Sequence, residues 1–108
     1  MTHLIETAKA GKLNAELDGG TITLSNVGMI GGMYARPVIM PPQTAIGALT
    51  KIKPVLEKNE EGEIVEKNQM NVSFSTDHRI CDGATTARFV MAFKKYVESP
   101  GQMLLNLR

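Results

Sequence analysis

The chain has 108 residues, 43% of them apolar and 21% charged, with 12 basic against 11 acidic side chains. That suits one globular domain or part of one, and excludes wholesale disorder and a strong field for nucleic acid or a membrane surface. A single cysteine excludes an internal disulfide framework and a cysteine-based zinc site, and no run of about 18 apolar residues exists to span a bilayer. The opening residues Met1 to Glu6 carry acid early and lack an apolar stretch, so no secretory signal is expected. The lone Cys81 fits a reducing, intracellular compartment.

Leu4, Ile5, Ala8 and Leu13 recur at roughly helical spacing and predict a short helix ending near Gly11 and the Leu13-Asn14 step. Asp18-Gly19-Gly20 predicts a turn. Thr21 to Ser25 alternates and is β-branched, which predicts a strand with Ile22 and Leu24 inward and Thr21, Thr23 and Ser25 on the other face. The stretch Asn26 to Ala35 mixes three glycines after position 27 with Met29, Ile30 and Met33, as expected of tight backbone packed against something. Pro37, Pro41 and Pro42 argue against a continuous central strand over 36–42.

Thr44 to Leu56 reads mainly as one strand, its apolar run Ala45-Ile46-Gly47-Ala48-Leu49 implying burial on both faces. Pro54 marks its far end as an edge or bulge, and Asn59-Glu60-Glu61-Gly62 as a hairpin connection. Ile64 to Phe74 returns as the partner strand, with Met70, Val72 and Phe74 on one face. Gly83 to Val97 is the longest helix. Its Thr86, Phe89, Val90, Phe93, Tyr96 and Val97 share one face, with Arg88 and Lys95 opposite. Ser99-Pro100 ends it, and Met103, Leu104, Leu105 and Leu107 suggest a short docking helix.

The sharpest chemical feature is Asp77-His78-Arg79-Ile80-Cys81-Asp82-Gly83. A histidine leaves a strand between two charges, and an aspartate and a glycine open a helix. Histidine takes a proton near neutral pH, and desolvation by Phe74 and Ile80 would favour its neutral, basic form. The plainer alternative is a solvated surface turn with Asp82 as helix N-cap.

The segment Asp77-His78-Arg79-x-x-Asp82-Gly83-Ala84 resembles the active-site signature of the dihydrolipoamide acyltransferases, the core components of 2-oxo acid dehydrogenase complexes. The His-x-x-x-Asp-Gly pattern is shared with chloramphenicol acetyltransferase. Gly19-Gly20-Thr21-Ile22-Thr23-Leu24-Ser25-Asn26-Val27-Gly28 is similar to the family's Gly-Gly-Thr strand. Ile30-Gly31-Gly32, Pro37-Val38-Ile39-Met40-Pro41-Pro42, Ala45 to Leu49, Met70-Asn71-Val72-Ser73 and the closing Pro100, Met103, Leu104 and Leu105 follow in family order. The Pro-Val-Ile-Met-Pro-Pro block and the Thr-Leu-Ser-Asn strand look most like the branched-chain members, with the pyruvate and 2-oxoglutarate members as rivals.

The resemblance implies an α/β fold, a chloramphenicol-acetyltransferase-like two-layer sandwich with a mixed sheet and helices on one side. Residues 1–108 correspond to the C-terminal half of the catalytic domain. It implies acyl transfer from a dihydrolipoyl thioester to coenzyme A. His78 is then the general base, Ser25 the hydroxyl that stabilises the oxyanion, and Asp82 a structural residue acting by ion pair or helix cap. Asn26 matches a family position without a role. Coenzyme A enters as substrate, and the lipoyl group rides on a domain not found here, as does binding of the peripheral dehydrogenase. The expected partners are further copies of the chain, as trimers building a hollow core with the active site between neighbouring subunits. The expected location is the mitochondrial matrix in a eukaryote and the cytoplasm in a prokaryote. A shortened, non-catalytic assembly module is the alternative, and a chloramphenicol-type acetyltransferase a third reading. Cys81 reads as a small buried hydrophobe, His3 as having no role, and Met29, Met33 and Met40 as packing at a subunit contact, not as a metal box.

Overall fold

The structure, a computed structural model, describes residues 2–12 and 19–107. Leu13, Asn14 and Asp18, named in two of the expectations above, lie outside them. Helix α1 runs Thr2–Lys9. It closes at Gly11, whose φ of 65° suits glycine. There Lys12 N–H donates to the Thr7 carbonyl at 3.0 Å and Gly11 N–H to that of Ala8 at 3.1 Å, satisfying carbonyls the helix end leaves open.

Strand β1 (Ile22–Asn26) pairs in parallel with β2 (Ala45–Leu49), which pairs antiparallel with β5 (Val72–Thr76), giving a mixed sheet of order β1-β2-β5. Strands β3 (Lys53–Lys58) and β4 (Ile64–Gln69) form a separate hairpin around Asn59–Gly62. The single strands expected over 44–56 and 64–74 are therefore each two. Leu49 pairs with Val72 but Lys53 pairs with Gln69, so residues 50–52 stand opposite 70–71: one extra residue, a bulge. Thr50 fills it. Its hydroxyl accepts from the Asn71 N–H at 3.0 Å in place of a backbone carbonyl, and the Asn71 carbonyl takes both the Thr50 hydroxyl at 2.8 Å and the Thr50 N–H at 3.2 Å.

Helix α2 (Gly83–Glu98) lies on one face of this sheet against β5. Phe74 of β5 meets the Phe89 and Phe93 rings edge-on, with centroids 5.2 and 5.4 Å apart. The Thr76 and Thr86 hydroxyls pair at 2.7 Å. A side chain at Gly47 would run into Phe74 and Leu24, which close over the glycine from both sides. Ile22 and Leu24 share that face, as expected, yet remain 42% and 57% exposed, because α2 covers β5 and not β1.

The opposite face is crossed by an extended arm, residues 33–40, which contains none of the described strands. Asn71 Nδ2 and the Ser73 and Ser75 hydroxyls donate to the carbonyls of Met33, Ala35 and Pro37 at 3.0, 2.6 and 2.7 Å. This ladder lays the arm over Ile46 and Ala48, the buried apolar residues among those described. Met29 and Met40 are 86% and 59% exposed, so the methionine cluster is not packed within the chain. Helix α3 (Gly101–Asn106) touches α2 through Asn106 Nδ2, which donates to the Tyr96 hydroxyl, but Leu104, Leu105 and Leu107 stay 71%, 85% and 72% exposed and do not dock on this chain. The radius of gyration, 17.2 Å, exceeds the ~13 Å of a compact domain of this length, which fits a body open on several sides.

Candidate active site

Residues 77–82 form the turn from β5 into α2. The Asp77 N–H donates to the Thr44 carbonyl at 2.8 Å, and the Asp77 carbonyl accepts from Ile80 and Cys81 N–H at 3.0 and 2.9 Å. The Asp77 carboxylate takes three donors from Arg79: the backbone N–H and Nε on Oδ1, each at 3.0 Å, and Nη2 on Oδ2 at 2.6 Å. The Arg79 side chain, then its backbone N–H, hold the Asp77 carboxyl down at about 2.

His78 sits at the corner of this turn, exposed, and its ring makes no hydrogen bond among the described residues. The expected desolvation is not formed in this chain, since Ile80 is itself 66% exposed. Asp82 acts as cap: its Oδ1 accepts from the Thr85 N–H at 2.7 Å, satisfying one of the donors that a helix start leaves free. That bond, with a smaller share from the Thr85 hydroxyl, lowers its carboxyl below the usual range. No cation lies within ion-pair reach of Asp82 among the described residues, so of the two roles left open the cap is the one formed.

Ser25 lies on β1, half-buried, on the arm-bearing face with Thr23, and its hydroxyl makes no hydrogen bond among the described residues. It shares a row with Ala48 and Ser73. β5 ends at Thr76, two strands across and three residues further along, and His78 lies beyond it in the turn. At ~4.8 Å per strand and ~3.3 Å per residue, Thr76 already stands roughly 14 Å from Ser25. One copy of this chain does not bring them together.

The other candidates play lesser parts. Asn26 Oδ1 accepts from the Gly28 N–H at 2.9 Å and shapes the 3₁₀ turn Gly28–Ile30. Cys81 is a free, half-exposed thiol rather than a buried one, and His3 lies exposed on α1. No group of three or more histidine, cysteine or acidic side chains placed to hold a metal occurs among the described residues. No described helix is long and apolar enough to cross a membrane. A groove between the hairpin and α2, lined by Val55, Phe93 and Val97, and a depression by Tyr34, Arg36 and Ser73, include neither Ser25 nor His78. The Asp77–Arg79 fork was open to sequence reasoning, since an Asp two residues before an Arg at a strand end is a turn pattern. The arm ladder was not, because it joins positions 38 apart.

A mixed sheet with one covering helix, entered through a turn that exposes a histidine and ends at a helix-capping aspartate, defines part of a two-layer α/β transferase-type domain. The sequence profile of the 2-oxoacid dehydrogenases acyltransferase (catalytic domain) matches residues 1–105, and the chain belongs to that family. It is 52% identical over 109 aligned residues to the lipoamide acyltransferase component of the bovine mitochondrial branched-chain alpha-keto acid dehydrogenase complex, covering 100% of this chain and 23% of that protein. Against the acetyltransferase component of the Rickettsia felis pyruvate dehydrogenase complex it is 43% identical over 107 residues, covering 97% and 26%. The solved Azotobacter vinelandii dihydrolipoamide acetyltransferase superposes with a TM-score of 0.84 at 29% identity, over 95% of this chain and 42% of that one. The chain thus spans about a quarter of the length of these curated relatives, and shares its fold with a solved acyltransferase core.

Proposed function

We propose that this chain is the C-terminal part of a lipoamide acyltransferase catalytic domain that moves an acyl group, branched-chain in kind, from a dihydrolipoyl thioester to coenzyme A. The observation that carries the reading is the exposed His78 in the turn that ends at the helix-capping Asp82, in a chain 52% identical to a branched-chain acyltransferase component and 43% identical to a pyruvate-complex one. The Azotobacter study concerns a serine, a histidine and an asparagine in that enzyme's catalytic mechanism; Ser25, His78 and Asp82 fall at nearly the same spacing, with aspartate in place of asparagine. Asparagine caps a helix as aspartate does, which supports a cap role at this position.

In this reading His78 takes the proton of the coenzyme A thiol, and the sulfur attacks the thioester carbonyl carbon. A thiol of pKa about 8.5 and an imidazole of about 6.5 are close enough for that transfer. The Ser25 hydroxyl donates to the oxyanion of the tetrahedral intermediate. Its collapse expels the dihydrolipoyl sulfur, which recovers the proton from the His78 imidazolium. Because His78 lies beyond Thr76, which itself stands roughly 14 Å from Ser25 in one copy, the working site takes one residue from each of two adjacent copies. Trimers within a larger core supply that arrangement, and the exposed Met29, Met40, Leu104 and Leu105 are the apolar surface available for it. The coenzyme A and lipoyl channel is built with the part of the domain that precedes these residues in relatives. The compartment is the mitochondrial matrix or, in a prokaryote, the cytoplasm. A non-catalytic assembly module is the second reading, favoured by a buried apolar core that among the described residues comprises Ile46 and Ala48.

The test mixes two variants in the complete catalytic domain. His78→Ala is expected to lose about 10²–10⁴ in transfer rate and Ser25→Ala about 10²–10³. Co-assembled in equal amounts they recover activity at about a quarter of their head-to-tail interfaces. Mixed assemblies as inactive as the parents would refute a shared site, and wild-type rates from His78→Ala would refute the base.

A further inference from the structure

We propose that Asp77 is the positioning residue for His78, and that it works through a turn closed onto the Arg79 backbone N–H, not through its ion pair with the Arg79 guanidinium. The inference rests on His78 being the base. A histidine that moves protons is ordinarily oriented by a hydrogen bond to its second ring nitrogen. Within one copy the His78 ring has no such bond among the described residues, and what this chain sets is the backbone that carries the ring.

That backbone is closed on both sides of His78. Asp77 Oδ1 reaches over the histidine to the Arg79 N–H at 3.0 Å, an Asx turn with His78 at its centre. The Asp77 carbonyl then takes the Ile80 and Cys81 N–H groups, and its N–H is tied to Thr44 at the start of β2. The Cα–Cβ direction of His78 is thereby fixed from one residue. The guanidinium adds two short bonds to the same carboxylate, but its side chain is 88% exposed against 18% for Asp77. An ion pair that exposed is screened and contributes little. The bond inside the turn needs only an acceptor oxygen at Oδ1, which an amide supplies as well as a carboxylate.

The experiment places ¹³C-labelled histidine in the assembled protein and follows ring order by NMR relaxation. His3, the other of the two histidines, is the reference within each spectrum. Wild type and Arg79→Ala are expected to show an ordered His78 ring, and Asp77→Asn to preserve that order. Asp77→Ala is expected to make His78 as mobile as His3, and to lower kcat about 10–10²-fold with KM unchanged, as small misplacements of a reacting group do. An Asp77→Ala ring as ordered as wild type overturns the proposal. So does an Asp77→Asn ring as mobile as that of Asp77→Ala, which would make the charge the device. If Asp77→Ala does not fold, Asp77→Ser, whose hydroxyl still accepts in such a turn, decides: order supports the proposal and mobility overturns it. The spectra stand whether or not the assembly transfers acyl groups, so a failure of the acyltransferase reading is told apart.

Discussion

Replacing Gly47 by alanine probes the packing that seats α2 on the sheet. Gly47 is buried on the central strand, and an added methyl would overlap the Phe74 ring and stand 2.9 Å from Leu24 Cδ2. Leu24 is 57% exposed and can swing away. Phe74 cannot, because the Phe89 and Phe93 rings hold its edges at 5.2 and 5.4 Å. Relief therefore requires α2 to move off the sheet. Overpacking of this kind costs about 1–3 kcal/mol, and each ring pair that opens adds about 0.5–1.5 kcal/mol. For a unit of this size, 1 kcal/mol shifts the melting midpoint by about 4–8 °C. With both ring pairs open the cost is about 2–6 kcal/mol, so the expected outcome for Gly47→Ala is a midpoint lower by at least about 8 °C by circular dichroism. Phe74→Leu in the Gly47→Ala background is expected to cost less than the sum of the two single changes, since the smaller side chain removes the overlap. A Gly47→Ala protein melting within about 1 °C of wild type would refute the argument.

Removing the Ser73 and Ser75 hydroxyls together, as Ser73→Ala and Ser75→Ala, takes away two of the three bonds that hold the arm. At about 1 kcal/mol each, cleavage by chymotrypsin after the exposed Tyr34 is expected to speed up by about 30-fold; an unchanged rate would show that the ladder does not retain the arm. The Asp77 carboxyl is lowered from 3.8 to about 2, so the stabilisation from its bonds is fully present above 3.8 and is lost as the pH falls through about 2. The Asp77 carboxyl ¹³C shift is expected to titrate at about 2, and a midpoint at 3.8 would show that the fork does not form.

The elements legible in the sequence are those whose partners are close along the chain. Helix α2 declares itself through Phe89, Val90, Phe93 and Tyr96 at helical steps, with Asp82 capping and Ser99 beyond its end. The hairpin turn is marked by Asn59 and Gly62, the latter at a φ of 87°. The bulge at residues 50–52 was illegible because apolar alternation runs on through Met70, Val72 and Phe74; what breaks the ladder is a threonine hydroxyl standing in for a peptide group. The exposure of Ile22, Leu24, Leu104 and Leu105 within one copy has another reason. Amphipathicity tells which way a side chain faces, and these face places that nothing in this chain fills. Of the candidate site, residue types and spacing identified His78, Ser25 and Asp82 with the help of family resemblance. Their separation across the sheet depends on the parallel pairing of β1 with β2, which spacing alone does not encode.

The hairpin beside the bulge bears on how the chain reaches this structure. β2 and β5 are far apart in sequence, and closing so long a loop unaided is slow and entropically unfavourable. Zipping from Asn59–Gly62 through β3 and β4 needs only neighbouring residues at each step, and delivers Thr50 to Asn71 already in register. From there β5 can extend along β2 pair by pair. The arm follows, since Asn71, Ser73 and Ser75 present their donors as a row only once β5 is laid down. In that order the hairpin acts as a folding guide for a sheet to which it contributes no strand.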